Sequence, residues 1–218
     1  SAQHYNVPFI NHSQVKCGIP EDKISPCPPI FNPISDCEGH QNSFSWRIDS
    51  MKCNDDIKYL NIYFKSTPTS QFQILHTATN PLVDTVFIQE SMLKVAGCYA
   101  FSAVDSVGNE SDVVQEICFD NCPFYQIPNI FTPNDDGSND NLIPLPYRYI
   151  QSINLIIYNR WGQQVFQTKD IDINWNGRNQ FTNLKSSPGV YYYSCVVNEI
   201  RIDGVNQIVT NGFVHIIN

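Results

Sequence analysis

The chain has 218 residues, of which 42% are hydrophobic, enough for the cores of one or two globular domains. Its formal net charge is -8, with only 13 Lys and Arg and no basic run, so we expect no nucleic-acid partner. The sequence contains no stretch of about 18 consecutive apolar residues, so no membrane-spanning segment is predicted. The N-terminus lacks the pattern of a signal peptide. Because Ser1 is not Met, we interpret the chain as part of a longer polypeptide, with room upstream for an export signal.

Residues 1–26 show little periodicity and are interpreted as a linker or the tail of an upstream domain. Prolines around Pro33 then indicate an edge strand. Alternating apolar residues predict the next strands, around Trp46 and Ile62. The remaining strands of this half are expected at 72–75, 85–88, 98–105 and 113–119. Seven short strands without a helical period predict a β-sandwich over residues 27–122.

A proline-rich joint at 127–140 opens the second half, because Pro128 and Pro133 favour extended backbone. Residues 153–166 predict a hairpin that turns at 159–162 and places Ile153, Leu155 and Ile157 on one face. Further strands are predicted at 171–176, 190–199 and 208–217, with a hairpin turn at 203–204. These patterns predict a second β-sandwich over residues 123–218.

The chain contains eight cysteines, a number that favours an oxidising compartment and several disulfides. Zinc is the alternative, but it expects close CxxC pairs, and the nearest spacing here is Cys118-x3-Cys122 without a neighbouring His. Cys195 alone follows the joint, and we predict that it is unpaired and buried in a strand. The disulfide candidates are Cys17, Cys27, Cys37, Cys53, Cys98, Cys118 and Cys122.

The first half resembles a fibronectin type III-like domain, through Trp46 in an early strand and the run CYAFSAVDSVGNES at 98–111. The extra cysteines depart from the usual pattern of such domains. In a sandwich of this kind, Cys37 and Cys98 begin strands at adjacent ends, so the resemblance makes their pairing one candidate, and the sequence leaves the connectivity open. The fold class expected for the whole chain is all-β, with two tandem Ig-like or fibronectin type III-like sandwiches.

The second half resembles the gliding-motility-associated C-terminal domain of Bacteroidetes, the type B sorting domain of the type IX secretion system. Asp135 stands where that family more often has Gly. The order and spacing of five motifs match across residues 122–218. These motifs are IPNIFTPNDDGSND (127–140), IIYNRWGQQVF (156–166), NWNG (174–177), PGVYYY (188–193) and NGFVHIIN (211–218).

This resemblance implies a secreted or cell-surface protein that folds in the periplasm and passes an outer-membrane translocon. The implied partners are shuttle or anchor barrel proteins of that secretion system, besides upstream domains of the same polypeptide. A terminal strand suits such partners, because its edge is open to strand addition. Deleting residues 211–218 is then predicted to block export. The residues expected in sorting or partner recognition are Asn129, Phe131, Thr132, Pro133, Asn159, Arg160, Trp161, Gly162, Phe213, Val214 and Ile216.

The turn after Pro133 brings oxygen-bearing side chains together around Gly137, which suits a structural calcium ion. The alternative is a turn whose Asn and Asp side chains satisfy its own backbone. No other cofactor is predicted. The candidate ligands are Asn134, Asp136, Asn139 and Asp140.

Two aromatic features allow a binding or a packing interpretation. Trp161 lies in a turn and is either a recognition group or a cap on the core, and we favour the cap. Tyr191, Tyr192 and Tyr193 suit a sugar platform, but strand alternation separates Tyr192 from the others and favours packing.

Catalysis finds little support in the sequence. The five histidines are scattered singly, and no HExxH, GxSxG or phosphate-binding glycine loop occurs. We therefore predict a non-enzymatic, adhesin-like or gliding-associated region that directs export and surface attachment. The alternative is a carbohydrate- or protein-binding module of a larger extracellular enzyme or adhesin.

Overall fold

A computed structural model describes residues 22–48, 56–90 and 95–217. Across these ranges the regular elements are twelve β-strands, numbered here in chain order. Within the same ranges, no helix has the length and apolar character needed to cross a membrane.

Strands β1 to β7 form two antiparallel sheets that face each other, and we call this unit the first sandwich. One sheet has the order β1-β2-β5 and the other β4-β3-β6-β7. All seven strands predicted from alternation are present, which confirms the fibronectin type III-like arrangement. Their bounds are β1 Ile30–Asp36, β2 Gln41–Arg47, β3 Ile57–Lys65, β4 Gln73–Ala78, β5 Val86–Glu90, β6 Gly97–Asp105 and β7 Val114–Phe119.

Aromatic side chains fill the space between these two sheets. The ring of Phe44 on β2 lies 4.5 Å from that of Tyr99 and 5.6 Å from that of Phe101, both on β6. Trp46 is also buried, and its indole nitrogen donates a hydrogen bond to the carbonyl of Pro81 (3.1 Å). Because β2 and β6 belong to different sheets, these rings hold the two layers together.

The register between β6 and β7 determines the disulfide partner of Cys98. Cys98 and Cys118 are directly opposite each other on these strands and are bonded. The predicted pairing of Cys98 with Cys37 is therefore wrong, because Cys37 lies in the turn between β1 and β2 of the other sheet.

The other cysteines differ in state. Cys27 is disulfide-bonded, whereas Cys37 and Cys122 have free, half-buried thiols. Cys195 is free and fully buried in a strand, which confirms that prediction. Cys17 and Cys53 lie outside the described residues.

Strands β8 to β12 form a five-stranded sheet in the order β10-β9-β11-β12-β8, the basis of the second sandwich. Ile153, Leu155 and Ile157 share its buried face, as predicted. The opposing layer consists of the connecting segments, joined by isolated bridges such as Leu142–Trp175. The strands are β8 Ile130–Phe131, β9 Ile150–Tyr158, β10 Gln164–Thr168, β11 Gly189–Arg201 and β12 Gly204–Ile216.

The strand predicted at 171–176 is wrong. Ile173 and Asn174 have φ values of 63° and 55°, which a strand does not allow. Asp170 instead organises a turn, because its carbonyl accepts a hydrogen bond from the Ile173 amide (3.0 Å). Ile173 and Trp175 are nevertheless buried, so the alternation in the sequence indicated burial rather than strand pairing.

A polar junction, formed by residues 120–122 and their contacts, joins the two sandwiches. The Asn121 side-chain oxygen accepts hydrogen bonds from the Val95 and Ala96 amides (both 3.1 Å). Its side-chain nitrogen donates to the Ile200 carbonyl on β11 (3.0 Å). The Ile202 amide, in the β11–β12 turn, donates to Asp120 (2.7 Å). The junction therefore meets the end of the second sheet where β11 and β12 turn.

Candidate recognition surface

The strand directions bring the five motifs of the second half to one end of the second sheet. There the end of β9 lies beside the start of β11, with Tyr158 opposite Tyr192. The start of β11 lies beside the end of β12, where Gly189 is opposite Ile216. We call this the distal end, because the junction lies at the other end of β11. With 13 residues in β11, the two ends are about 40 Å apart.

The turn at 132–140 is held by its own side chains. The Asp140 carboxylate accepts hydrogen bonds from the backbone amides of Asp135 (2.6 Å) and Gly137 (2.8 Å). Asp136 accepts one from the Ser138 amide (2.8 Å), and Asn134 accepts one from the Asp136 amide (3.1 Å). These bonds support the interpretation of a self-satisfied Asx-rich turn. Calcium binding by Asn134, Asp136, Asn139 and Asp140 stays a prediction.

Trp175, from the NWNG motif, is the centre of the layer that covers the sheet. It is 1% exposed, and its ring lies 5.3 to 5.8 Å from those of Phe131, Phe166 and Tyr191. Its indole nitrogen donates to the Arg178 carbonyl (2.8 Å). Residues from three other motifs, together with Arg178, therefore meet around this buried tryptophan.

Two motif glycines allow neighbouring segments to approach closely. Gly177 has a φ of 70°, and a Cβ there would lie 2.7 Å from Cγ of Pro133. Gly189 has a φ of 138°, and a Cβ there would lie 3.0 Å from a guanidinium nitrogen of Arg160. Gly177 therefore requires glycine for backbone conformation and for space, whereas at Gly189 the backbone conformation is the reason, because the Arg160 side chain can move. The motifs are thus the parts that pack this end together.

Trp161 is 79% exposed at the distal end, so the expectation that it caps the core is wrong. The Asn159 side-chain oxygen accepts hydrogen bonds from the amides of Trp161 (3.0 Å) and Gln163 (2.9 Å), and Gly162 has a φ of 80°. This Asx turn holds the indole outside. The Arg160 guanidinium carbon lies 5.2 Å from the indole centre, as in a cation–π contact.

A cleft of about 300 Å³ lies beside this tryptophan, between the 159–161 turn and the 179–187 loop. Leu184 lines it and is 68% exposed, and Lys185 lines it while forming an ion pair with Asp135 (3.2 Å). The sequence analysis made no prediction for Leu184 or for the exposed Phe181. The available signal was a large apolar residue isolated in a polar run.

A second cleft of about 350 Å³ borders the 132–140 turn. Ile130 and Ile143 line it, and each is 48% exposed. The distal end therefore combines two clefts, each with exposed apolar side chains near the motif turns.

The predicted recognition residues divide into two groups. Phe131, Val214 and Ile216 are at most 2% exposed, so their side chains support the core and do not reach a partner in the folded domain. This corrects the expectation of direct contact. The remaining predicted residues are accessible to different degrees. Asn129, Arg160, Trp161, Gly162 and Phe213 are exposed, and Thr132, Pro133 and Asn159 are half-buried.

Two carboxylates in the first sandwich have lowered pKa values. Burial opposes ionisation of Asp105, but hydrogen bonds from the Asn109 side chain and from three backbone amides outweigh it and lower its pKa. Burial likewise opposes ionisation of Glu110, but the Ser102 and Tyr63 hydroxyls donate to it and lower its pKa. Both groups stabilise turns and strands of that sandwich in their ionised form.

A compact β-sandwich with exposed apolar side chains around a motif-built end has the character of a recognition module. Residues 125–216 match the family model described as the CHU_C type IX secretion signal domain. This match confirms the family resemblance of the second sandwich and indicates an exported protein. No curated protein matches the chain.

Two solved structures are similar to the chain at low identity. The chicken CNTN1 FN1-FN3 domains share 9% identity over 80% of this chain, with a TM-score of 0.32. An α-L-rhamnosidase from Dictyoglumus thermophilum shares 10% identity over 88%, with a TM-score of 0.37. The chain spans 62% and 30% of these structures, respectively.

Proposed function

We propose that residues 123–218 direct a larger protein through the outer membrane and attach it at the cell surface, while residues 27–122 act as a spacer domain. The match to the secretion signal family supports export. The main structural support is that all five motifs are packed at the distal end, about 40 Å from the junction. A partner in the outer membrane then meets this end first. This role requires no catalysis.

Trp161 and its cleft are the proposed contact for that partner. A large exposed aromatic ring beside an apolar Leu184 and two cations has the composition of an interface anchor. The partner surface that suits it is an apolar groove with an acidic rim.

Strand addition is the alternative way of binding, but the end of β12 is not open to it. The end of β12 is already paired, because His215 and Ile216 lie beside Ile130 and Phe131 of β8. Among the described residues, the edge of β12 without a strand partner runs from residue 204 to 214, and it includes the exposed Val205 and Val209. That edge starts near the junction rather than at the chain end.

Trp161→Ala tests the proposal in a secretion reporter, expressed in a host with a type IX system. We expect surface display to fall roughly tenfold with little change in melting temperature, because the indole packs outside the core. Val107→Ala is the matched control, because Val107 is an exposed apolar residue of the first sandwich, away from both the distal end and the β12 edge. Display of the Trp161 variant at the unmodified level would contradict the proposed contact.

Deleting residues 211–218 is a poor test of recognition. It removes Val214 and Ile216 from the core, so loss of export would follow from unfolding as well. Substituting exposed residues avoids this ambiguity.

The second candidate is a carbohydrate-binding module, because an exposed indole beside a cleft also suits a sugar ring. A glycan array on the purified chain distinguishes the two. Binding that Trp161→Ala removes, together with normal export of that variant, would favour the carbohydrate role.

A further inference from the structure

Two free thiols meet at the junction although they are far apart in sequence. Cys37 lies in the turn between β1 and β2, and Cys122 lies three residues after β7. The Cys37 thiol donates to the Asp120 carbonyl (3.5 Å), two residues before Cys122, and the pKa of Cys37 is affected by the neighbouring Cys122 thiol. Both are half-buried.

The two residues just before β9 of the second sandwich contact both cysteines. The Tyr149 hydroxyl donates to the Cys37 carbonyl (3.3 Å) and lies 2.8 Å from Nδ1 of His40. The Arg148 guanidinium donates to the Cys122 carbonyl (3.0 Å) and pairs with Glu38 (2.9 Å). These contacts hold the backbones of both cysteines against two adjacent residues, so the two cysteines lie in one ordered site.

We infer that Cys37 and Cys122 form a disulfide that ties the β1–β2 turn to the segment leading into the second sandwich. The oxidant is a disulfide donor, either a thiol–disulfide oxidoreductase or oxidised glutathione. One cysteine thiolate attacks the donor disulfide and forms a mixed disulfide, releasing one donor thiol. The second cysteine thiolate then displaces the other donor thiol. The two cysteines lose two protons and two electrons, and the donor disulfide is reduced to two thiols.

The surroundings make this pairing selective. Cys195 has the other free thiol of the described residues, and it is fully buried in the core of the second sandwich. Cys98 and Cys118 already bond to each other across β6 and β7. Burial raises the pKa of Cys37 to about 11, and the neighbouring Cys122 thiol adds to that shift.

The bond would hold the junction in one arrangement. Residues 120–122 otherwise depend on hydrogen bonds such as Ile202 to Asp120 and on the partly exposed Arg201–Asp120 ion pair (3.4 Å). A covalent link between the first sandwich and this segment limits how far the second sandwich tilts. This inference goes beyond export and does not depend on it.

The test is oxidation of the purified chain in a glutathione redox buffer, followed by alkylation and digestion without reductant. Cleavage before Asp and after Lys or Arg gives fragments 36–47 and 120–134, each with a single cysteine. We expect these two fragments to be recovered as one cross-linked species that reductant separates. The Cys98–Cys118 bond in the same sample shows that oxidation was complete.

Recovery of both fragments in alkylated form, while Cys98 and Cys118 are bonded, would overturn the inference. So would a cross-link from Cys37 to any other cysteine. Cys37→Ser is expected to leave Cys122 alkylated and to speed hydrogen exchange at residues 120–122 and 148–149. Cys195→Ser is the matched control and should leave the cross-link and the exchange at the junction unchanged.

Discussion

The two sandwiches enclose their cores in different ways. In the first, two regular sheets face each other, and strands alone supply both layers. In the second, a five-stranded sheet is covered by connecting segments, joined by isolated bridges and packed around Trp175. The first core therefore depends on strand alternation, whereas the second depends on turns, glycines and one tryptophan.

This difference explains why sequence motifs are concentrated in the second half. A strand tolerates many apolar residues on its buried face, so alternation without a fixed motif is enough. An irregular layer requires particular residues, such as Gly177 beneath Pro133. The buried motif residues of the second sandwich are thus structural, whereas others, such as Trp161, are exposed.

Removing Trp175 should have the largest effect on stability. We expect Trp175→Ala to lower the free energy of unfolding of the second sandwich by about 3 to 5 kcal/mol, because the cavity lies at the centre of its irregular layer. Urea unfolding combined with hydrogen exchange locates the loss. Trp161→Ala should cost less than about 0.5 kcal/mol. If Trp175→Ala fails to fold, Trp175→Phe should show a smaller loss of stability in the same strands. Equal losses of stability for the Trp175 and Trp161 variants would contradict the assignment.

The Cys98–Cys118 disulfide should stabilise the first sandwich and leave the second unaffected. Replacing both cysteines by Ala should destabilise the first sandwich by about 3 kcal/mol, since the bond closes a loop with a sequence separation of 20. Hydrogen exchange should rise in β3, β6 and β7, while β9 and β11 keep their protection. A uniform rise across both sandwiches would show that they unfold as one unit.

Substituting Gly177 tests whether glycine is required there because Pro133 lies so close, and not only because φ is positive. Gly177→Ala combines a positive φ with a contact against Pro133, and we expect a loss of about 2 to 3 kcal/mol. Gly137→Ala is the matched control, because Gly137 has a φ of 87° but open space around it. It should cost only about 1 kcal/mol. Similar melting temperatures for the two variants would remove the packing argument.

Acid should affect the first sandwich through Asp105 and Glu110. Their pKa values in the folded protein lie below the ordinary 3.8 and 4.5, so their stabilising contribution is complete above those values. It is lost as the pH falls from about 4.5 through the lower, folded-state values. The protection factors of the β3 and β6 amides, which account for the slower intrinsic exchange in acid, should therefore fall on acidification in this window. Asp105→Asn should flatten that pH dependence, and an unchanged profile in the variant would contradict the assignment.

Alternation predicted the strands of the first sandwich and the buried face of β9, because burial on one face of a strand leaves a period of two. It failed at 171–176, where the same period arises from residues that enter the core from a turn. It also did not predict the exposure of Trp161, because the Asx turn around Asn159 determines where the indole points. The disulfide partner of Cys98 depended on strand register, which the spacing of cysteines does not show.

Local periodicity and ordered motifs were enough to predict an all-β chain, most of its strands and the family resemblance of its second half. Only the tertiary structure decided which motif residues are buried, which end of the sheet they occupy, and that Cys37 lies beside Cys122. Those properties follow from strand order and direction. Strand order brings together residues that are far apart along the chain, and no local pattern records that placement.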